Sequence, residues 1–267
     1  MPEGFSPASL LQDGIFETLR SENRVIVALE EHLERLFESA HALRLSLGYS
    51  RNELKKLLKC EVRSKPYPDA YVRIAFLREG DLMAEGKVQL FLIVKEAKRY
   101  PSSYYQKGVS IRTSSTRRNL VRALDAQAKV SDYVNGLLAT VDRPLPDEAF
   151  EEIYLDDEGR VTEGRVSNLF MMKEGVLFTS PLFLGVLKGV TRGQVLTEAQ
   201  KLKIPVREEP FTRTNLYGSD EVFLTNTSMR VMPVVSVDGR IIGNGTVGKT
   251  TKTLMKSLLS RKGDAHA

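Results

Sequence analysis

One stretch of the chain matches a catalytic motif letter for letter: Gly243-Asn-Gly-Thr-Val-Gly248-Lys249-Thr250 fits GxxxxGK[ST]. In a nucleotide-binding loop, glycines of this spacing let backbone N–H groups cradle phosphates while the Ser/Thr holds Mg²⁺. The stretch follows apolar residues and precedes a helical run. Its place near the C-terminus argues against that chemistry. A P-loop opens an α/β nucleotide fold, and the downstream strands that supply an acidic Mg²⁺ partner have no room here. The expectation is a glycine-rich turn into a last helix.

Other reactive side chains are sparse. A single cysteine, Cys60, excludes an internal disulfide. It lies in an amphipathic segment (SRNELKKLLKCEV), where a half-buried structural thiol is expected rather than a nucleophile. Three histidines, His32, His41 and His266, offer no Cys/His spacing for a metal, so none is expected. The net charge of +5 is modest and spread along 267 residues, which gives little reason to expect a nucleic-acid partner. No apolar run approaches a membrane span, and the N-terminus lacks a basic region followed by an apolar one. A cytoplasmic protein with no membrane partner is the expectation.

The elements that must position any site follow from apolar periodicity. Leu29, Leu33, Leu36, Phe37, Ala40 and Leu43 recur at helical spacing in 28–45. Ser50 followed by Glu53 reads as a capping box for a second helix with Leu54, Leu57 and Leu58 inward. Strands are expected at Ala70–Leu77 and Val88–Val94, joined by the turn REGD, and at Val109–Arg112. The polar, basic stretch Thr113–Asp125 reads as a linker. A helix near Lys129–Thr140, short strands joined by glycine turns, and a helix near Thr191–Lys203 come next. The strand EVFLT, a hairpin at Asp238-Gly239 and a helix near Val247–Leu259 close the chain. Strands outside strict βα alternation suggest α+β domains.

Seven segments, in order and spanning nearly the whole chain, resemble the fold-type IV enzymes that use pyridoxal 5'-phosphate (PLP). They are DGIFETLR (13–20), EEHLERLFESA (30–40), AYVRIAFLREG (70–80), AKVSDYVNGLLA (128–139), VTEGRVSNLF (161–170), LKGVTRGQVL (187–196) and DEVFLTNTSMRVMPV (220–234). That family includes branched-chain and D-amino acid aminotransferases and 4-amino-4-deoxychorismate lyases. The resemblance implies a two-domain α+β fold with the cofactor between the domains. The expected division is 1–117, an interdomain loop at 118–125, and 126–267.

The resemblance also implies roles. Lys129 is the amine that condenses with PLP and moves the substrate's α-proton, a task for a lysine that can be neutral. Glu163 is the carboxylate facing the pyridine nitrogen. Arg35 meets the phosphate, for which a planar guanidinium fork is suited. Val190 and Thr191 open a helix whose N–H groups face the same phosphate. Thr227 is a further phosphate donor, and Leu187 packs on the ring. For the substrate, Tyr71 and Arg73 resemble branched-chain enzymes and Arg78 resembles D-amino acid enzymes. Strand alternation sets 71 and 73 on one face and 78 on the other. Phe16 is expected to line the pocket.

Departures mix the subgroups. Little sequence precedes the DG segment, so the first sheet should have a shorter edge. Tyr133 follows Lys129 by four, a spacing that looks closer to D-amino acid aminotransferases and the lyases, while TNTSMRVMPV lacks a small GTA-type run and looks closer to the lyases. LYGSDEVFL and AYVR look branched-chain. The leading expectation is a PLP-dependent transaminase acting on an amino donor and a 2-oxo acid, as a homodimer. The alternative is aminodeoxychorismate lyase, which releases pyruvate and 4-aminobenzoate.

Overall fold

The computed structural model describes residues 14–78, 87–118, 128–130 and 149–260. They divide into two compact units. The first is built on a four-stranded antiparallel sheet, order β2-β1-β3-β4, from β1 (Gly14–Glu22), β2 (Val25–Ile26), β3 (Ala70–Arg78) and β4 (Val88–Glu96). Helices α1 (Leu29–Ala42) and α2 (Arg51–Ser64) belong to the same unit. Period-two alternation gives the sheet two different faces. Ile15 and Leu19 of β1 and Val72, Ile74 and Phe76 of β3 join Leu33, Leu36, Leu54 and Leu58 in one buried core. The opposite face carries Phe16, Thr18 and Arg20, then Tyr71, Arg73 and Ala75, then Phe91 and Ile93, as the strand registers require.

The expected capping box is present. Ser50 Oγ accepts from Glu53 N–H, while the Glu53 carboxylate accepts from Ser50 N–H at 2.7 Å. Leu54, Leu58 and Val62 form the buried stripe of α2. Cys60 is exposed, not half-buried: it falls two residues from both Leu58 and Val62, about 200° around the helix from each stripe position.

Among the described residues, nine strands make the second unit's mixed sheet, in the order β10-β9-β8-β11-β12-β5-β6-β7 with β13 beside β12. They are β5 (Val109–Arg117), β6 (Glu151–Leu155), β7 (Val161–Gly164), β8 (Asn168–Lys173), β9 (Val176–Thr179), β10 (Val206–Glu208), β11 (Glu221–Asn226), β12 (Arg230–Val237) and β13 (Arg240–Ile241). Its helices are α3 (Ser102–Lys107), α4 (Val190–Lys201), α5 (Arg213–Tyr217) and α6 (Lys249–Ser260). Strand β5 extends through the start of the expected linker. Thr113 pairs with Ile153 and Arg117 with Leu155, so its polar side chains hide a strand set by its neighbours. The REGD turn beyond Arg78, most of the 118–125 loop and all but the first two residues of the helix expected near Lys129–Thr140 lie outside the described residues. Lys129 itself is not helical: Val130 bridges Ile15 in extended conformation.

The P-loop look-alike has a structural explanation. The N-terminus of α6 is filled by the protein's own carboxylate. Glu221 Oε1 accepts from Thr250 N–H at 3.0 Å, and Glu221 Oε2 accepts from Thr251 N–H at 2.7 Å and Thr251 Oγ at 2.6 Å. A Cβ at Gly248 would overlap that carboxyl, which is why the position needs glycine. The site that would bind an anion is already a charged N-cap. Glu221→Ala is expected to lower stability by about 2 kcal/mol in denaturant unfolding.

Candidate active site

In the first unit, Arg35 and Glu17 meet in the buried space between α1 and β1. Glu17 is 1% exposed and sits on the core face of β1 between Ile15 and Leu19. Arg35 Nε donates to its Oε1 at 2.6 Å and Arg35 Nη2 to its Oε2 at 2.7 Å, while His32 Nδ1 lies 2.7 Å from Oε2. Burial by itself would raise this carboxyl, but the Arg35 guanidinium, with His32, outweighs it and holds Glu17 down to about 2. Burial pushes the His32 imidazole below its ordinary value, against the pull of Glu17. The guanidinium fork expected at a phosphate is therefore taken by Glu17 along its Nε–Nη2 edge.

One helical turn beyond Arg35, Ser39 reaches the lysine. Lys129 N–H donates to Ser39 Oγ at 3.0 Å, and Lys129 C=O accepts from Phe16 N–H at 3.1 Å. Lys129 Nζ lies 4.4 Å from the centroid of the Phe16 ring, and the Arg73 guanidinium lies 4.1 Å from the same centroid. Phe16, Lys129 and Arg73 are thus brought together around one aromatic ring. Tyr71 shares the Arg73 face and has Lys95 Nζ 4.8 Å from its ring. Arg78 is not part of this group: its Nη2 donates to Leu43 C=O at 3.4 Å, at the end of α1, as its position on the core face dictates.

In the second unit, Glu163 is buried on β7 and held by donors of three kinds. Arg118 Nη2 pairs with its Oε1 at 2.6 Å, and Leu187 N–H donates to Oε2 at 2.9 Å. Asn168 Nδ2 donates to Oε2 at 3.2 Å and to Leu187 C=O at 2.9 Å, so one amide fixes both carboxylate and loop. Gly189 follows at the start of α4, where any Cβ would strike Asn168 Oδ1. The N-cap of α4 is Gly189, which has no side chain to cap with, and the first helical residues are Val190 and Thr191. Thr227 lies in the turn after β11, two residues past Thr225, which pairs with Asn168 in register.

Arg118, Asn168, Glu17, His32 and Ser39 were not anticipated. Glu17 and Asn168 carried one faint signal, a polar residue inside an apolar strand (IFET, SNLF). Glu151 belongs with them. Burial pushes its carboxyl up to about 7, and the neighbouring Glu163 adds to this. Val166 N–H and Ser167 Oγ–H, which donate to it, pull the other way. Among the described residues, no cluster of His, Cys, Asp and Glu is arranged to hold a metal, and no helix is long and apolar enough to cross a membrane.

The family model for amino-transferase class IV matches residues 14–237. A putative branched-chain-amino-acid aminotransferase of Methanocaldococcus jannaschii is 37% identical over 257 residues, covering 94% of this chain and 87% of the relative. A branched-chain-amino-acid aminotransferase of Pseudomonas aeruginosa is 36% identical, covering 95% and 86%. The crystal structure of a T.th. branched-chain amino acid aminotransferase with pyridoxamine 5'-phosphate is 30% identical, with a TM-score of 0.87 and coverage of 97% and 90%. The chain belongs to the class IV aminotransferases, with the fold expected of them. It is an aminotransferase, and the names of its relatives favour this over the lyase alternative.

Glu151 supplies a pH test. Its folded value lies above the ordinary carboxylate value, so its contribution is complete in acid and is lost as pH rises from about 4.5 through about 7. Replacing it by glutamine removes the titration. Denaturant unfolding at pH 5 and pH 8 is expected to show Glu151→Gln gaining on the wild type by about 3 kcal/mol at the higher pH.

Proposed function

We propose that the chain is a PLP-dependent transaminase in which Lys129 carries the cofactor, with branched-chain amino acids as donors and a 2-oxo acid such as 2-oxoglutarate as acceptor. The observation that carries this reading is the Phe16 ring with the Lys129 amine and the Arg73 guanidinium both against it. An amine that moves a proton, an apolar wall and a cation for a carboxylate are what an amino acid with an apolar side chain and a dicarboxylate acceptor require in turn.

The residues fit the cofactor. When bound, PLP supplies a ring that withdraws electrons from the substrate's α-carbon. Glu163 is a buried carboxylate paired with the Arg118 guanidinium, which suits it to face a protonated ring nitrogen. Asn168 and Arg118 hold that carboxylate in one orientation. Helix α4 starts from a glycine N-cap, so Val190 and Thr191 present an N-terminus suited to a phosphate. In this reading Thr227 adds a hydroxyl, and Leu187, whose N–H holds Glu163, packs on the ring. Arg35, oriented by Glu17, supplies positive charge to the phosphate. Lys129 moves the proton from the substrate's α-carbon.

For the substrate, Arg73 rather than Arg78 receives the distal carboxylate, because only Arg73 shares Phe16 with the lysine. Tyr71 borders it. A homodimer fits the same sheet face. Phe91 (44% exposed) and Ile93 (52% exposed) stand beside Arg73 as an apolar strip. A cytoplasmic location remains part of the reading.

Purified protein supplied with PLP is expected to show a near-visible absorption band that Lys129→Ala lacks. The same band in both proteins, or in neither, would refute the cofactor role. Leucine, isoleucine and valine with 2-oxoglutarate are expected to outpace D-alanine with the same acceptor. Arg73→Leu is expected to raise KM for 2-oxoglutarate by about tenfold or more, and Arg78→Leu to change it little.

A further inference from the structure

We propose that Ser39 is a positioning residue that sets where the Lys129 amine can reach. The proposal rests on the reading of Lys129 as the cofactor-bearing lysine. Serine is an indifferent choice inside a helix, and a buried hydroxyl is costly unless its hydrogen-bonding capacity is used. Ser39 is 1% exposed, and its hydroxyl serves as both donor and acceptor. Its Oγ–H donates to Arg35 C=O at 2.8 Å, which commits the proton backward along α1 and turns a lone pair outward. That lone pair accepts Lys129 N–H at 3.0 Å.

The consequence is a clamp. Lys129 is held through its N–H by α1 and through its C=O by Phe16 N–H of β1, and Val130 continues the bridge to Ile15. With both ends of the residue fixed, the side chain leaves the backbone in a set direction, along the Phe16 ring. Ser39 also joins the lysine to the turn of α1 that carries Arg35, which is itself fixed by Glu17. The two groups of this unit that would hold the cofactor, the Lys129 amine and the Arg35 guanidinium, are thereby tied to the same turn of α1. Alanine at 39 would fill nearly the same space. It would leave Lys129 N–H without this partner and release one side of the clamp.

The test compares wild type, Ser39→Ala, Ser39→Thr and Lys129→Ala, each supplied with PLP. Hydrogen exchange at the Lys129 amide, the pH midpoint of the near-visible band, and kcat and KM are the readouts. Ser39→Ala is expected to speed exchange at Lys129 about tenfold, in line with the loss of one hydrogen bond. It should also move the band's midpoint and lower kcat about tenfold, with KM for the donor within about twofold. Ser39→Thr keeps the hydroxyl and should restore the exchange rate and the midpoint even if its Tm falls. Unchanged exchange and an unchanged midpoint in Ser39→Ala, with only a lower Tm, would reduce Ser39 to packing and overturn the proposal. A band that survives in Lys129→Ala would instead refute the reading of the lysine, whatever Ser39 does.

Discussion

Between α1 and β1 a carboxylate and a guanidinium meet almost without water to screen them. Glu17 lies in the middle of an apolar strand face, and Arg35 covers both of its oxygens while His32 covers one again. Two charges taken out of water must be compensated by geometry, and breaking such a pair costs about 3–5 kcal/mol because the remaining partner is stranded. The pair therefore acts as a register pin: helix and strand cannot slide past one another without exposing an unmatched charge. Everything assigned to the first unit's site is referenced to that pin. Ser39 stands one turn along the same helix, Phe16 is next to Glu17 in the strand, and Lys129 is tied to both.

The second unit handles charge by the same rule with different means. Glu163 is buried, and its oxygens are met by a guanidinium, a backbone N–H and a side-chain amide. Asn168 takes part twice, because its amide also holds the carbonyl of Leu187. The route from β7 to the start of α4 is thus fixed by one side chain, and Gly189 permits the close approach. Glu151 lies nearby with burial raising its carboxyl, so the protein tolerates only a limited number of negative groups in this part of the sheet.

Helix N-termini show how a shared local pattern can serve different ends. The glycine-rich run before α6 has the letters of a nucleotide loop, yet Glu221 from β11 reaches across and fills it. The run before α4 has weaker letters and ends on a glycine N-cap, which brings no side chain of its own. Sequence spacing describes the backbone at such a terminus. It says nothing about which distant carboxylate will arrive there.

Periodicity determined much of this protein by itself. The α1 and α2 stripes, the Ser50–Glu53 cap, the core strands and the hairpin at Asp238 all follow from contacts within a few residues, and all are present. The order of seven segments determined the family for the same reason that an order of motifs is hard to imitate. Tertiary structure alone decided the strand at Thr113–Arg117, whose polar residues pair with distant β6. It also decided that Arg73 rather than Arg78 shares a ring with Lys129, and that Arg35 commits its fork to Glu17. The pairings among these turn on partners well separated in the chain. A charge or a hydroxyl acquires its meaning from the group that satisfies it, and local spacing carries no record of that group.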